Sequence, residues 1–520
     1  MPWPPLPRCD AHSITTKGVR KANTMTSFAS ALQTASRLSR TENGATCYNS
    51  TGSHMLDFFG TVGALRPAND NRKNRLFADA YRENPLLATK CLFYARDVRG
   101  GLGERQTFRT ILRYAAVYHP ECVRPNIPLI PLYGRFDDLY ALVGTPVETE
   151  MWDAMRKQLV LDEKHMREGK TCSLMAKWLK TPDTSSAESR KLAALTANGL
   201  GLTIREYKHA LRKLRKYLKI VERSMSQNQW ENIEYASVPS KAMTLYRKAF
   251  GKHDADRFGK YLEKVQKGET KINAATLFPY DLVCKYRKNY YNFSRIKEDP
   301  VVEAQWKALP NYVEGNSNAI VVADMSGSMS WNSNGRPLDT AIGLALYFAE
   351  RNTGPYHGLW MSFSADSKVQ TVKGETLAQH MAGMDTQHWG QNTNLEAAFL
   401  HILNIAVANS VPQDEMVKSI IIISDMEIDE AVGRWSFYDE MAQRFRHQGY
   451  QIPNVVFWNV ESHNDTFHVD HDRKGVQLCS GQATSTFKAL MGAVNMTPEE
   501  MMKKTLESDR YAPVRVDPVA

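Results

Sequence analysis

The 520-residue sequence predicts an α plus α/β molecule: an all-helical array followed by a doubly wound, Rossmann-like parallel-sheet domain. Three observations carry that expectation. Apolar residues recur at three- and four-residue spacing from about Met55 to Tyr290, with scarcely any strand-like alternation. Beyond Ser317, short apolar runs alternate with helix-like stretches. The charge also changes sign there: net +9 over residues 1–200 and +11 over 201–300, but −10 over 301–520. A basic two-thirds joined to an acidic third predicts a polyanionic partner for the first and a cation for the second.

The first residues are Pro-rich and basic, and they lack the apolar core of a secretory signal, so residues 1–40 read as a poorly ordered tail. Helical segments follow at Arg75–Tyr81, Leu86–Ala95, Thr107–Tyr118 and Arg205–Val221. Turns rich in Gly or Pro separate them, as at Arg99–Gly103, Pro125–Pro131 and Thr181–Asp183. Many short helices without strands predict an α-solenoid or irregular helical array over residues 41–305, in which stacked helix pairs bury one another, although no fixed-period repeat is visible.

The α/β domain is expected over residues 316–500, with a tail at 501–520. Asn318–Ala323, Gly358–Phe363, Ser419–Ser424, Asn454–Asn459 and Gly475–Cys479 read as strands. Leu338–Arg351, Leu395–Ala408, Phe437–Gln448 and Ser485–Val494 read as the intervening helices. Such alternation predicts right-handed crossovers and a sheet covered on both faces.

In a doubly wound sheet, ligands gather beyond the carboxyl ends of the strands. Asp324-Met-Ser326-Gly-Ser328 follows directly on the apolar run Ala319–Ala323. One carboxylate and two hydroxyls are hard oxygen ligands, suited to Mg²⁺ or Mn²⁺ rather than zinc. Taken alone, D-x-S-x-S serves equally well as a helix cap. Thr393, just before a helical stretch, and Asp425, at the end of Ser419–Ser424, add two more loops at strand ends. The acids Glu427 and Asp429 follow Asp425 and would be the candidates for a general base, although a solvated acidic loop explains them as well. His468, Asp470, His471 and Asp472 are ligand-like residues in a polar loop with no matching cluster elsewhere.

The ordered set Asp324, Ser326, Ser328, Thr393 and Asp425 resembles the metal-ion-dependent adhesion site of von Willebrand factor A domains. The resemblance covers roughly residues 316–495. It implies one Mg²⁺ with an open coordination position that takes an acidic group from a protein partner, in a domain that binds rather than catalyses.

The sharpest feature of the helical half is Arg205–Arg223. On a helical wheel Tyr207, Leu211, Leu214, Tyr217, Leu218 and Val221 fill one side. Lys208, Arg212, Arg215, Lys216, Lys219 and Arg223 form a stripe on the other. A helix that is merely soluble would mix signs, whereas an almost purely cationic stripe suits phosphate contacts. Tyr246, Arg247, Lys248, Tyr286, Arg287 and Lys288 add charge and aromatic rings for base stacking.

The motifs Asn43-Gly-Ala, Leu56-Asp-Phe-Phe59, Ala95-Arg-Asp-Val-Arg-Gly-Gly-Leu-Gly-Glu-Arg105, Pro131-Leu-Tyr-Gly-Arg-Phe-Asp-Asp138 and Met175-Ala-Lys-Trp178 resemble the Ro (TROVE) ribonucleoproteins. They are closer still to a largely uncharacterised branch of that group in plants, microbes and phages. Ro proteins join a ring of HEAT-like helices to a von Willebrand A domain, so the resemblance implies RNA as partner, as small structured RNAs or single-stranded ends. The Arg-Gly-Gly-Leu-Gly-Glu-Arg stretch lacks the Gly-Lys-Ser/Thr ending of a phosphate loop and reads instead as a helix–helix turn with an Arg/Asp network.

Seven scattered cysteines without a C-x-x-C pair argue against a disulfide framework and structural zinc, and for a reducing cytoplasm. No run reaches the ~18 apolar residues of a membrane span. The expected function is an RNA-binding ribonucleoprotein scaffold without enzymatic activity. A protein-assembly module without RNA and a metal-dependent nuclease or phosphatase are the alternatives.

Overall fold

The computed structural model describes residues 32–287, 293, 296–313, 318–331, 336–363, 367–430 and 437–518, apart from positions 33, 388, 391 and 494. A short antiparallel hairpin, β1 (Leu38–Arg40) with β2 (Thr46–Tyr48), precedes the helical array. The expected tail therefore ends in ordered strand by residue 38.

The array opens with α1 (His54–Thr61), α2 (Asp70–Glu83), α3 (Pro85–Arg96) and α4 (Gln106–Tyr118). Ser53, Asn69 and Asn84 cap the first three, each side chain accepting from a first-turn amide. Pro85, with no amide proton to lose, takes the first position of α3. Further on come α5 (Glu148–Arg167), α6 (Ala187–Gly199), α7 (Ile204–Tyr217) and α8 (Val221–Ser226). The array closes with α9 (Ser240–His253), α10 (Ala255–Gln266), α11 (Pro279–Tyr286) and α12 (Pro300–Lys307).

The helix expected over Arg205–Val221 is broken. Its start is as the sequence demands, a capping box between Thr203 and Glu206. At its end the Lys219 amide donates to Lys216 and the Ile220 amide to Arg215, with Lys219 at φ +48°. This is a Schellman stop with lysine in the left-handed place that glycine usually takes. The chain therefore turns before α8.

The second half is a six-stranded sheet in the order β5-β4-β3-β6-β7-β8. Its strands are β3 (Ala319–Asp324), β4 (Leu359–Phe363), β5 (Ser367–Thr371), β6 (Ser419–Ser424), β7 (Asn454–Asn459) and β8 (Val476–Ser480). All pair in parallel except β5, an antiparallel edge strand absent from the sequence reading. Among its helices are α13 (Ser328–Trp331), α14 (Arg336–Arg351), α15 (Leu395–Ala408), α16 (Phe437–His447), α17 (Ser485–Met491) and α18 (Pro498–Leu506). The chain leaves β3 toward β4 and β5, then returns to add β6 on the other side of β3. That reversal makes the β3/β6 ends the topological switch point, where a doubly wound sheet opens a crevice.

The two halves share one apolar core, and a smaller cluster lies under residues 221–301. The edge of β8 is covered by α1 and the turn after it, where the Gly63 amide donates to Ser480 Oγ at 3.0 Å. A Cβ at Gly63 would sit 2.7 Å from the Gly481 amide nitrogen, so only glycine allows this approach. Residues 501–518, expected as a tail, instead complete α18 and fold onto the helical half. There Arg510 pairs with the buried Asp97, and the Tyr511 hydroxyl donates to the same carboxylate at 3.0 Å. Among the described residues no helix is long and apolar enough to cross a membrane, and all six cysteines are free.

Candidate metal centre and basic cavity

Three loops meet at the switch point. The Gly390 amide donates to the Met325 carbonyl at 2.8 Å, seating the Thr393 loop on the Asp324 loop. The Asp429 amide donates to the Thr393 carbonyl at 3.0 Å, tying the loop after β6 to the same place. Asp324, Ser326, Thr393 and Asp425 are all buried there, and Ser328 lies at the first position of α13.

The two carboxylates have different surroundings. Asp324 accepts from the Ser424 hydroxyl at 2.6 Å and from the Ser326 amide at 2.9 Å. Asp425 accepts from the Glu427 amide at 3.2 Å through one oxygen, while its Oδ2 is buried with no hydrogen-bond partner. Burial raises both carboxyls above their ordinary value, and the neighbouring Asp425 adds to the rise at Asp324, which reaches about 7. The Ser326 and Ser328 hydroxyls lie 3.1 Å apart beside them. Met426, directly after Asp425, sits at φ +69°, a strained position for a non-glycine residue. Two neighbouring buried carboxylates with one orphaned oxygen are costly, and an oxygen-preferring dication would offset that cost. The donor set therefore fits Mg²⁺ or Mn²⁺. Among the described residues no group of three or more His, Cys, Asp or Glu side chains is placed to hold a metal ion.

Glu427 is tied into the surrounding loops. Its carboxylate accepts from the Glu42 amide at 2.7 Å and the Thr466 hydroxyl at 3.3 Å. The Asn43 side chain donates to the Glu427 carbonyl and the Thr41 hydroxyl to the Ile428 carbonyl, both at 2.7 Å. The Asn43-Gly-Ala motif thus braces the loop after Asp425. The ligand-like residues 468–472 serve the same seam. His468 Nε2 meets the Met426 carbonyl at 3.1 Å, Asp470 pairs with Arg37, and His471 meets the Thr51 carbonyl.

The sequence reading missed Glu461 and His463. They lie past the end of β7, form an ion pair at 3.5 Å and act electrostatically on Asp425. Asn459 pairs with Ser424 across the sheet, so an acid two residues beyond Asn459 was the available signal.

The stripe residues part company. Lys208, Arg212, Arg215 and Arg223 line a cavity of about 1430 Å³. Lys216 and Lys219 are exposed and do not line it. Arg215 is not a free phosphate ligand: it donates to the Ala176 and Leu179 carbonyls at 2.8 Å and to the Thr181 hydroxyl at 2.9 Å. Lys208 pairs with Asp183 at 2.6 Å. The cavity draws its wall from residues as distant as Arg66 and Arg336, with thirteen Lys and Arg side chains against the acids Glu104, Asp183 and Glu222. Trp178, Tyr246, Phe278 and Tyr280 add aromatic surface. Of the other residues singled out in the sequence, Arg247 and Arg287 are spent on Asp299 and Asp339, and the Tyr286 hydroxyl donates to Glu303. Lys248 is exposed, and Lys288 lies outside the described residues.

Comparison with known proteins adds the following. The family model of a domain of unknown function, DUF2828, matches residues 41–192 and 160–318. A second domain of unknown function, DUF7788, matches residues 318–519. An uncharacterised protein of Acanthamoeba polyphaga mimivirus is 28% identical over 521 aligned residues, 92% of this chain and 89% of its own. Among solved structures, the Ro protein of Deinococcus radiodurans aligns over 88% of this chain and 100% of its own, at 15% identity and a TM-score of 0.41. Proximal thread matrix protein 1 of the mussel byssus aligns over 37% of this chain and 47% of its own, at 13% identity and a TM-score of 0.25.

Proposed function

The chain belongs to the family of the domain of unknown function DUF2828, and we propose that it is an RNA-binding scaffold whose acidic half docks a partner through a divalent cation. The observation that carries the RNA reading is the cavity, with thirteen cations, three acids and four aromatic residues in one wall. Phosphate neutralisation with stacking surface is the physical footprint of single-stranded nucleic-acid binding. RNA rather than DNA follows from the resemblance of the sequence motifs to the Ro ribonucleoproteins.

The metal reading is supported by the orphaned Asp425 Oδ2 beside Asp324, Ser326 and Ser328. A Mg²⁺ held there with an open position would take a carboxylate from a protein partner. We read this cleft as a binding site and not a catalytic one; the carboxylate of Glu427, one of the two candidate bases, is engaged by the Glu42 amide and the Thr466 hydroxyl. Free cysteines throughout the described chain accord with a cytoplasmic protein.

The test is binding of the purified chain to labelled single-stranded and hairpin RNA between 50 and 200 mM salt, expected to weaken by about 10³-fold or more if six or more phosphates are neutralised. Absence of salt-dependent binding, together with no nucleic acid carried through purification, would overturn the RNA reading and leave a protein-assembly module.

A further inference from the structure

The turn between α3 and α4 carries the Arg-Asp-Val-Arg-Gly-Gly-Leu-Gly-Glu-Arg sequence, and most of it is accounted for by structure. Arg96 donates to Asp138 at 2.7 Å, Asp97 takes Arg510, and Glu104 pairs with Arg66 at 2.6 Å. Arg105 is the exception. Its side chain makes no ion pair or hydrogen bond among the described residues, and it faces the cavity.

Around Arg105 the charges do not balance. Arg96 and Arg109 share Asp138, while Arg109 and Arg135 share Asp137 at 2.8 and 2.9 Å. Four guanidinium groups thus surround two carboxylates, leaving an excess of two positive charges. The proximity is felt: burial, Arg135 and Arg109 together push the Arg105 guanidinium below its ordinary value. Gly134 keeps the cluster tight, since a Cβ there would meet Asp138 Oδ2 at 2.4 Å and Arg96 Nε at 2.7 Å.

Arg105 is also the N-cap of α4, a 13-residue helix with no side-chain cap and no acid in its first turn. The positive end of its dipole favours an anion there. In the same turn the buried Thr107 hydroxyl has no partner. Nearby, the Arg135 guanidinium lies 4.0 Å from the Trp178 ring centre, a cation–π contact on the cavity wall.

We propose that this corner of the cavity, formed by Arg105, Arg135, Trp178 and the start of α4, binds a phosphate monoester that carries a stackable base. A monoester brings close to two negative charges at neutral pH, which match the excess, whereas an internal phosphodiester brings only one. The monoester comes either from the end of an RNA strand or from a free nucleotide. The strand-end source rests on the RNA reading; the free nucleotide does not.

The experiment measures binding of the full chain to decauridylate bearing a 5′-phosphate, a 3′-phosphate or hydroxyls at both ends, and to uridine monophosphate. Each is repeated with Arg105→Gln and Arg105→Glu, with Lys157→Gln on the outer face of α5 as control. One terminal phosphate is expected to strengthen oligonucleotide binding about fivefold or more, the range of a charge-assisted contact. That gain should vanish in both Arg105 variants and persist in the control. Thermal midpoints equal to that of the parent show that the variants are folded, and Arg105→Lys should recover part of the gain. If the oligonucleotides bind but the terminal phosphate adds nothing, or the gain survives in Arg105→Gln, the subsite is overturned and the RNA reading stands. If uridine monophosphate alone binds in an Arg105-dependent way, the subsite stands and the RNA reading falls. If no probe binds, both are overturned.

Discussion

The Ser424 hydroxyl donates to Asp324 Oδ2 at 2.6 Å, joining the carboxyl ends of two adjacent parallel strands inside the switch-point crevice. It satisfies one of the two buried carboxylates and leaves Asp425 Oδ2 alone. A dication is expected to stabilise the protein by about 2.7 kcal/mol at a hundredfold excess over its Kd. Thermal unfolding with and without Mg²⁺ measures this, and Asp324→Asn or Asp425→Asn should abolish the response. An unchanged midpoint in the parent protein on adding Mg²⁺ or Mn²⁺ would falsify the metal reading.

The same pair sets a pH dependence. Both carboxyls are raised in the folded state, so in the metal-free protein this pair contributes most to stability when it is protonated. As pH climbs from the ordinary carboxylate range through the raised values, the unfolded chain releases protons first and stability falls. Saturating Mg²⁺ binds the deprotonated pair and should flatten or invert that slope. Midpoints taken from pH 4.5 to 8 with and without metal check the sign, and Asp324→Asn should lose the metal-free slope.

Arg212 and Arg215 are predicted to behave differently although they sit three residues apart. Arg212, exposed and facing the cavity, should on change to Gln lower the slope of log affinity against log salt by about one, with stability unchanged. Arg215→Gln strips hydrogen bonds from Ala176, Leu179 and Thr181, and should cost about 1–3 kcal/mol in urea unfolding. Equal effects of the two changes would mean that Arg215 is not a structural clamp.

Gly63→Ala places a methyl group against the Gly481 backbone at the junction of the halves. Overpacking of this kind costs about 1–3 kcal/mol, and both halves should lose stability together, since one core runs through them. Separate unfolding transitions in this variant would contradict the shared core.

Much of the α/β half was legible because its strands are buried on both faces. Ser419–Ser424 and Asn454–Asn459 are apolar runs whose ends coincide with the observed strands. A D-x-S-x-S and a later Asp on such ends had to fall at the crevice. The edge strand Ser367–Thr371 escaped notice because it is short, polar and only partly buried. In the helical half, periodicity found the helices but could not foresee the Lys219 turn, since lysine rarely takes a left-handed conformation. The cavity was out of reach for a further reason. Its wall is assembled from Arg66 to Arg336, and whether a cation is free or spent depends on partners far along the chain, as Arg215 and Arg510 show.

The chain is cross-tied. Residues 41–44, which lead into the helical half, are hydrogen-bonded into the loop after Asp425, while residues 509–515, beyond the sheet, are pinned to Asp97 and Asn126. Each half therefore holds a strap belonging to the other. A cut at residue 318 would yield two fragments that are each missing a piece of their own surface. They should regain structure only on mixing, at a rate that grows with concentration, and a partner that pulls on the crevice loop would be felt at the hairpin before α1.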